Sequence, residues 1–197
     1  MTMLSEFVLS KNHLIAIGHI ATNWSYSESY LELLIWKLIG IDNDGGHCVT
    51  THLNSETRIN ILESLAKRRL PIPGLRSELS KCVAEIRRLR TVRNNIVHGL
   101  WLHSKKPSPI FKLGQKGRRV TPQIAKVTAK GEIKITNTLW TAKKIMKVAE
   151  EISELSSRLS KLDDDIKANA DRRQAIAEAL LARQTLAQTP SPKNKAP

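Results

Sequence analysis

Between Lys11 and Ile39 the apolar positions fall at Leu14, Ile17, Ala21, Trp24, Leu31, Ile35 and Leu38. Steps of three and four describe one face of a long amphipathic helix. Glu28 stands in that stripe where an apolar residue is due. The run Asp42-Asn43-Asp44-Gly45-Gly46 is rich in turn formers and predicts a break. A second helix is expected from about Val49 to Arg69, with Leu53, Ile61, Leu62 and Leu65 inward, closed by Pro71 and Pro73-Gly74. A third is expected from Leu75 to about Gly99, its inward stripe being Leu75, Leu79, Cys82, Ile86, Leu89 and Ile96.

The period then changes. Residues 101–137 contain Pro107, Pro109, Gly114, Gly117 and Pro122. Their best alternating runs, Ile124 to Thr128 and Glu132 to Thr136, flank Lys130-Gly131 and predict a small basic hairpin. Helical spacing returns at Leu139 and holds to Leu162, with Thr138 as the expected N-cap. Asp163-Asp164-Asp165 is expected to interrupt it. An Ala-rich stretch over 163–188 then reads as a separate helical arm with a thin stripe (Ile166, Ala170, Ala177, Leu180) that packs weakly or on a partner. Residues 189–197 have the composition of a disordered tail. The expected fold is therefore mainly all-α: an up-down helical bundle over 1–162 carrying a β insert, then the arm.

Charge sharpens this picture. The 197 residues hold 32 Lys and Arg against 18 Asp and Glu, a net of +14, and the excess is local. Residues 1–60 carry −3, residues 61–150 carry +16, and residues 151–197 carry +1. So dense a basic block is an electrostatic footprint for phosphate, and RNA is the expected partner. No apolar run is long enough to span a bilayer, and no basic-then-apolar leader opens the chain. Two cysteines, Cys48 and Cys82, form no disulfide framework. A cytoplasmic protein that stays off the membrane is expected.

The third helix ends Arg87-Arg88-Leu89-Arg90-Thr91-Val92-Arg93-Asn94-Asn95-Ile96-Val97-His98-Gly99. Asn94 and His98, four apart, share a helical face with Arg87 and Arg90 above them. An imidazole that accepts a 2′-hydroxyl proton and a guanidinium that holds charge developing on a phosphate are the minimum for cutting RNA without a metal. Arg93 and His98 are five apart, about 140° around an ideal helix. They meet only if the helix loosens near Gly99, if the long arginine bends round, or if a two-fold dimer brings two copies together. Arginine and histidine in a last turn also serve a plainer purpose, complementing the helix dipole and its free carbonyls.

The run Arg93-Asn94-Asn95-Ile96-Val97-His98 matches the Arg-Asn-x-x-x-His signature of the HEPN superfamily (higher eukaryotes and prokaryotes nucleotide-binding), and the chain resembles that family over roughly residues 11–162. A first long helix with an inward Glu, a signature at the end of a late helix followed by Gly-Leu-Trp, and a further long helix make up the likeness. The resemblance implies a metal-independent endoribonuclease, often a toxin or antiviral effector, dimerising so that two motifs line one cleft. It assigns His98 as base, Arg93 as transition-state anchor and Asn94 as the orienting polar group. Some members of that family are inactive and serve as binding or dimer modules. A toxin silenced by an antitoxin protein docked on the Ala-rich arm is a variant of the same reading.

Glu28 needs a partner, because a carboxylate on an apolar stripe is costly unless paired. Arg93 or His98 are candidates that would make it a supporting residue, and a salt bridge elsewhere is the alternative. Arg87, Arg90, Lys105, Lys106, Arg118 and Arg119 are the candidate RNA-binding residues. Trp101 and Trp140 flank the basic insert and either stack on bases or anchor the insert to the bundle. Cys48, His52, His47 and Cys82 lack the paired spacing of a structural zinc site, so no metal is assigned. His13, His19 and His103 read as ordinary surface or core residues. No GxGxxG, GxxxxGK[ST], HExxH or GxSxG occurs, and no cofactor is called for.

Overall fold

The computed structural model describes residues 9–103, 122–127 and 133–188. The chain is a mainly all-α helical bundle: α1 (Lys11–Ile39), α2 (Asn43–Thr50), α3 (Ser55–Arg69), α4 (Pro73–His98) and α5 (Ala142–Gln188), with β1 (Leu100–His103), β2 (Pro122–Val127) and β3 (Ile133–Leu139) between the last two helices. No helix among the described residues is long and apolar enough to cross a membrane.

α1 ends where Gly40 takes φ 86°, a left-handed conformation, and its N–H and that of Ile41 both return to the Trp36 carbonyl. Only a residue without Cβ adopts that cap at no steric cost. The first helix breaks ahead of the Asp42–Gly46 run as expected, but the run is not itself a turn; it starts a helix. The Asp42 carboxylate accepts the Gly45 N–H at 2.8 Å, and α2 occupies what was read as a turn. Gly46 lies so close to Trp36 that a Cβ there would sit 2.3 Å from the indole ring. Trp36 in turn donates to the Thr50 hydroxyl at 3.2 Å. The helix expected from Val49 to Arg69 is consequently two, because Asn54 caps the Thr57 N–H at 2.9 Å and opens α3. In α3 Leu62 is fully buried as expected, with Ile59 and Ala66 beside it, while Ile61 and Leu65 pack half-buried at the edge of the core and Leu53 lies ahead of the helix.

Cross-helix contacts set the directions. His13 meets Trp140, Asn23 meets Ala149, Ser27 meets Ser156 and Lys37 meets Asp163, so α1 and α5 run parallel. Arg88 meets Glu151 and Glu78 meets Arg158, so α4 runs against them. Glu28 with Ser55 and Glu32 with Arg58 set α3 parallel to α1. The short α2 is the return stroke that makes this order possible. Between the helices lies one apolar core with Ile20, Leu34 and Ile35 of α1, Ile59 and Leu62 of α3, Ile86, Leu89 and Ile96 of α4, and Ile145, Ile152 and Leu159 of α5.

Three further expectations are corrected. Thr138 lies in β3; α5 starts later, where the Thr141 hydroxyl accepts the Lys144 N–H at 3.2 Å. Asp163–Asp165 does not interrupt the helix. Lys37 forms an ion pair with Asp163 and also donates to its carbonyl, while Leu162 and Ile166 on either side are buried, so packing outweighs the weak helix propensity of aspartate. Leu14, placed inward by its spacing, is 50% exposed. In the insert, β1, β2 and β3 form an antiparallel sheet in that order, with Trp101 opposite Ile124 and Ala125 opposite Ile135. The Lys130-Gly131 turn expected to join a hairpin there lies outside the described residues, as does the tail at 189–197.

Candidate functional site

The signature occupies the last turn and a half of α4, where Ile96 is fully buried and fixes the rotation of the helix about its axis. That rotation leaves Asn94 and His98 exposed and Arg93 half-buried. α4 stays helical through His98. The separation of five residues is closed by the arginine side chain itself, which bends round the helix. Its Nη1 donates to the Asn94 Oδ1 at 2.9 Å and reaches the His98 Nε2 at 3.0 Å. Its guanidinium carbon lies 5.9 Å from the ring centre of Trp24, within cation–π range, and its Nε is buried with no partner.

Protonation logic fixes the roles in that contact. A guanidinium has five N–H donors and no acceptor, so His98 Nε2 accepts through its lone pair and the ring proton lies on Nδ1. The imidazole thus presents to Arg93 the atom that a general base would use. Trp24 is the contact of Arg93 that sequence reasoning passed over. Its spacing marks it as a core residue, and it is indeed buried, yet its ring face is the platform for Arg93.

Glu28 pairs with neither Arg93 nor His98. It accepts from the Ser55 hydroxyl at 2.5 Å in the first turn of α3, where a carboxylate also meets the positive end of the helix dipole. Arg87 donates to Glu63 at 3.0 Å and Asn60 at 2.9 Å, with Glu56 at 3.6 Å. Arg90 pairs with Glu56 at 2.5 Å. The Arg87 hydrogen bond, helped by Lys67, holds the Glu63 carboxyl below its ordinary value. Both arginines therefore tie α4 to α3. Lys105, Lys106, Arg118 and Arg119 lie outside the described residues.

Trp101 donates its indole N–H to the Ile96 carbonyl at 3.1 Å, and both Trp101 and Trp140 pack half-buried against the core. His13 bridges the Ser10 hydroxyl and the Trp140 carbonyl. The two cysteines differ: Cys48 is exposed, while Cys82 is buried and its thiol is pushed up to about 11, chiefly by that burial.

α3 begins only at the level of Glu28 and Arg90, so among the described residues it leaves the faces of α1 and α4 below it open. On α1 that stretch presents Leu14, Gly18 and Ala21, all exposed; on α4 it presents Asn94 and His98. An apolar strip therefore adjoins the Arg93–His98 pair. A comparison of the chain with protein-family models, with curated proteins and with solved structures gives no significant match.

Proposed function

We propose that this protein is a metal-independent endoribonuclease of HEPN type, a toxin or antiviral effector acting in the cytoplasm as a homodimer on single-stranded or loop RNA. The observation that carries the reading is the 3.0 Å contact between Arg93 Nη1 and His98 Nε2. It joins a cation and a proton acceptor on one exposed helix end. His98 Nε2 takes the proton of a ribose 2′-hydroxyl; the 2′-oxygen attacks phosphorus and the P–O5′ bond breaks. Arg93 holds the charge gathering on the phosphoryl oxygens, and Asn94 orients Arg93. The leaving 5′-oxygen takes a proton from solvent, giving a 2′,3′-cyclic phosphate and a 5′-hydroxyl. The exposed strip of Leu14, Gly18 and Ala21 supports dimerisation beside the motif, since an apolar face of this kind is stabilised by burial.

The test is a gel assay of wild type and His98→Ala on a mixed RNA pool with EDTA throughout. Cleavage by wild type alone, leaving cyclic-phosphate ends, is the expected result; equal cleavage by both proteins would sink the reading. A non-catalytic dimeric module that binds RNA or a protein partner is the second reading. It is favoured by the prior engagement of the His98 lone pair with Arg93, and by the exposed Ile176, Leu180 and Leu181 of the arm, an apolar surface for a protein partner, which in the nuclease reading is the antitoxin. That reading expects RNA to shift on the gel, less so with added salt, and no cleavage at any pH.

A further inference from the structure

Arg93 can grip an oxyanion bidentately along two edges of its guanidinium, the side formed by Nε and Nη2 or the end formed by Nη1 and Nη2. Burial of Nε closes the first edge. The second is only half open, because Nη1 already gives its hydrogens to Asn94 Oδ1 and His98 Nε2. Nη2 makes no hydrogen bond among the described residues. An oxyanion that takes the open edge must therefore displace one of the two acceptors. Asn94 is the neighbouring residue and moves with Arg93 on the same turn. His98 is five residues away and is reached only while the side chain stays bent over Trp24. The contact with His98 is the one that gives way.

From this geometry we infer that Arg93 is an anion-released latch on His98: in the free protein it occupies the Nε2 lone pair, and a bound phosphodiester draws it away and frees that nitrogen. The latch rests on contacts within α4 and with Trp24. Only its catalytic consequence rests on the nuclease reading, for which it means that the base becomes available when the substrate phosphate is seated. It also reconciles the two readings of the site, since an engaged His98 describes the protein before its ligand arrives.

The test reads the His98 ring directly, by nitrogen-15 imidazole spectra at pH 8.5. In the wild type His98 is expected to hold its proton on Nδ1, the less common form of a free imidazole. Arg93→Met keeps the length and apolar contact of the side chain but donates nothing, and is expected to return His98 to the Nε2–H form. Asn94→Ala, at an exposed position, is expected to weaken the latch and give a mixture. Adding inorganic phosphate to the wild type should move His98 toward the Arg93→Met position, while sodium chloride at equal ionic strength should not. A wild-type His98 already in the Nε2–H form would overturn the latch. So would a spectrum that phosphate leaves unchanged at every concentration. If the tautomer and phosphate results hold while His98→Ala cuts RNA as well as wild type, the nuclease reading fails and the latch stands.

Discussion

Arg87 and Arg93 stand six residues apart on one helix and end in opposite situations. Arg87 reaches Glu56 and Glu63 on α3, and its neighbours behave alike: Arg88 pairs with Glu85 and Glu151, Arg90 with Glu56. Among the described residues no carboxylate pairs with Arg93, which lies over Trp24 and holds His98 instead. In the sequence these are four arginines of one basic block. The difference is geometric, because α3 starts at the level of Arg90 and offers its glutamates only to the arginines above. A density of positive charge therefore overstates the phosphate-binding surface wherever a parallel or antiparallel helix supplies the counter-charge.

The sharpest way to break the contrast is to delete each arginine. Arg93→Ala should lower the RNA cleavage rate by roughly 10²–10³-fold, the usual loss of one transition-state donor. Arg87→Ala should leave that rate within about threefold and instead lower the urea midpoint, because it releases α4 from α3. Equal losses of activity in the two variants would mean that Arg87 also serves the substrate.

A smaller effect concerns acid. The Glu63 carboxyl is held below its ordinary value in the folded protein, mainly by Arg87. Its contribution is thus present above the unfolded carboxylate value, about 4.3, and is lost as pH falls through the folded one. The urea-midpoint gap between wild type and Arg87→Ala should be full at pH 6 and narrow as pH falls below about 4. It should stay under about 1 kcal/mol, since the pair is a third exposed. A gap that widens with acid would contradict the pairing. The same distinction between covered and open positions separates the cysteines at the smallest scale. At pH 8, iodoacetamide should label exposed Cys48 within minutes, whereas Cys82, its thiol pushed up to about 11, should react only after unfolding. Mass spectrometry of the two peptides reads the result.

Much of the helical framework was legible in the chain. The limits of α1 follow from its stripe and from Gly40, and the lower end of α4 from Gly99. The misreadings share one cause. Asp42 reads as a turn former although its side chain caps α2, Asn54 caps α3 inside a stretch that reads as one helix, and Asp163 reads as a helix stop although Lys37 of α1 neutralises it. Each depends on a partner that local spacing does not display. The site shows the same split. The signature residues stand in plain order on one helix, but that Arg93 bends round to His98, and that Trp24 lies beneath it, belongs to no sequence pattern.

Periodicity, glycine and proline therefore determined which segments are helical and roughly where most of them end, because backbone propensity and the burial of one face act over a few turns. Tertiary structure decided which charges are available. Whether an arginine is pinned, as Arg87 is to Glu63, or left to grip a histidine, as Arg93 is on His98, depends on which side chains from distant parts of the chain arrive beside it. Hydrogen bonding acts over a few ångströms and Coulomb attraction in salt over about 10 Å, so that choice is made only once the helices have packed.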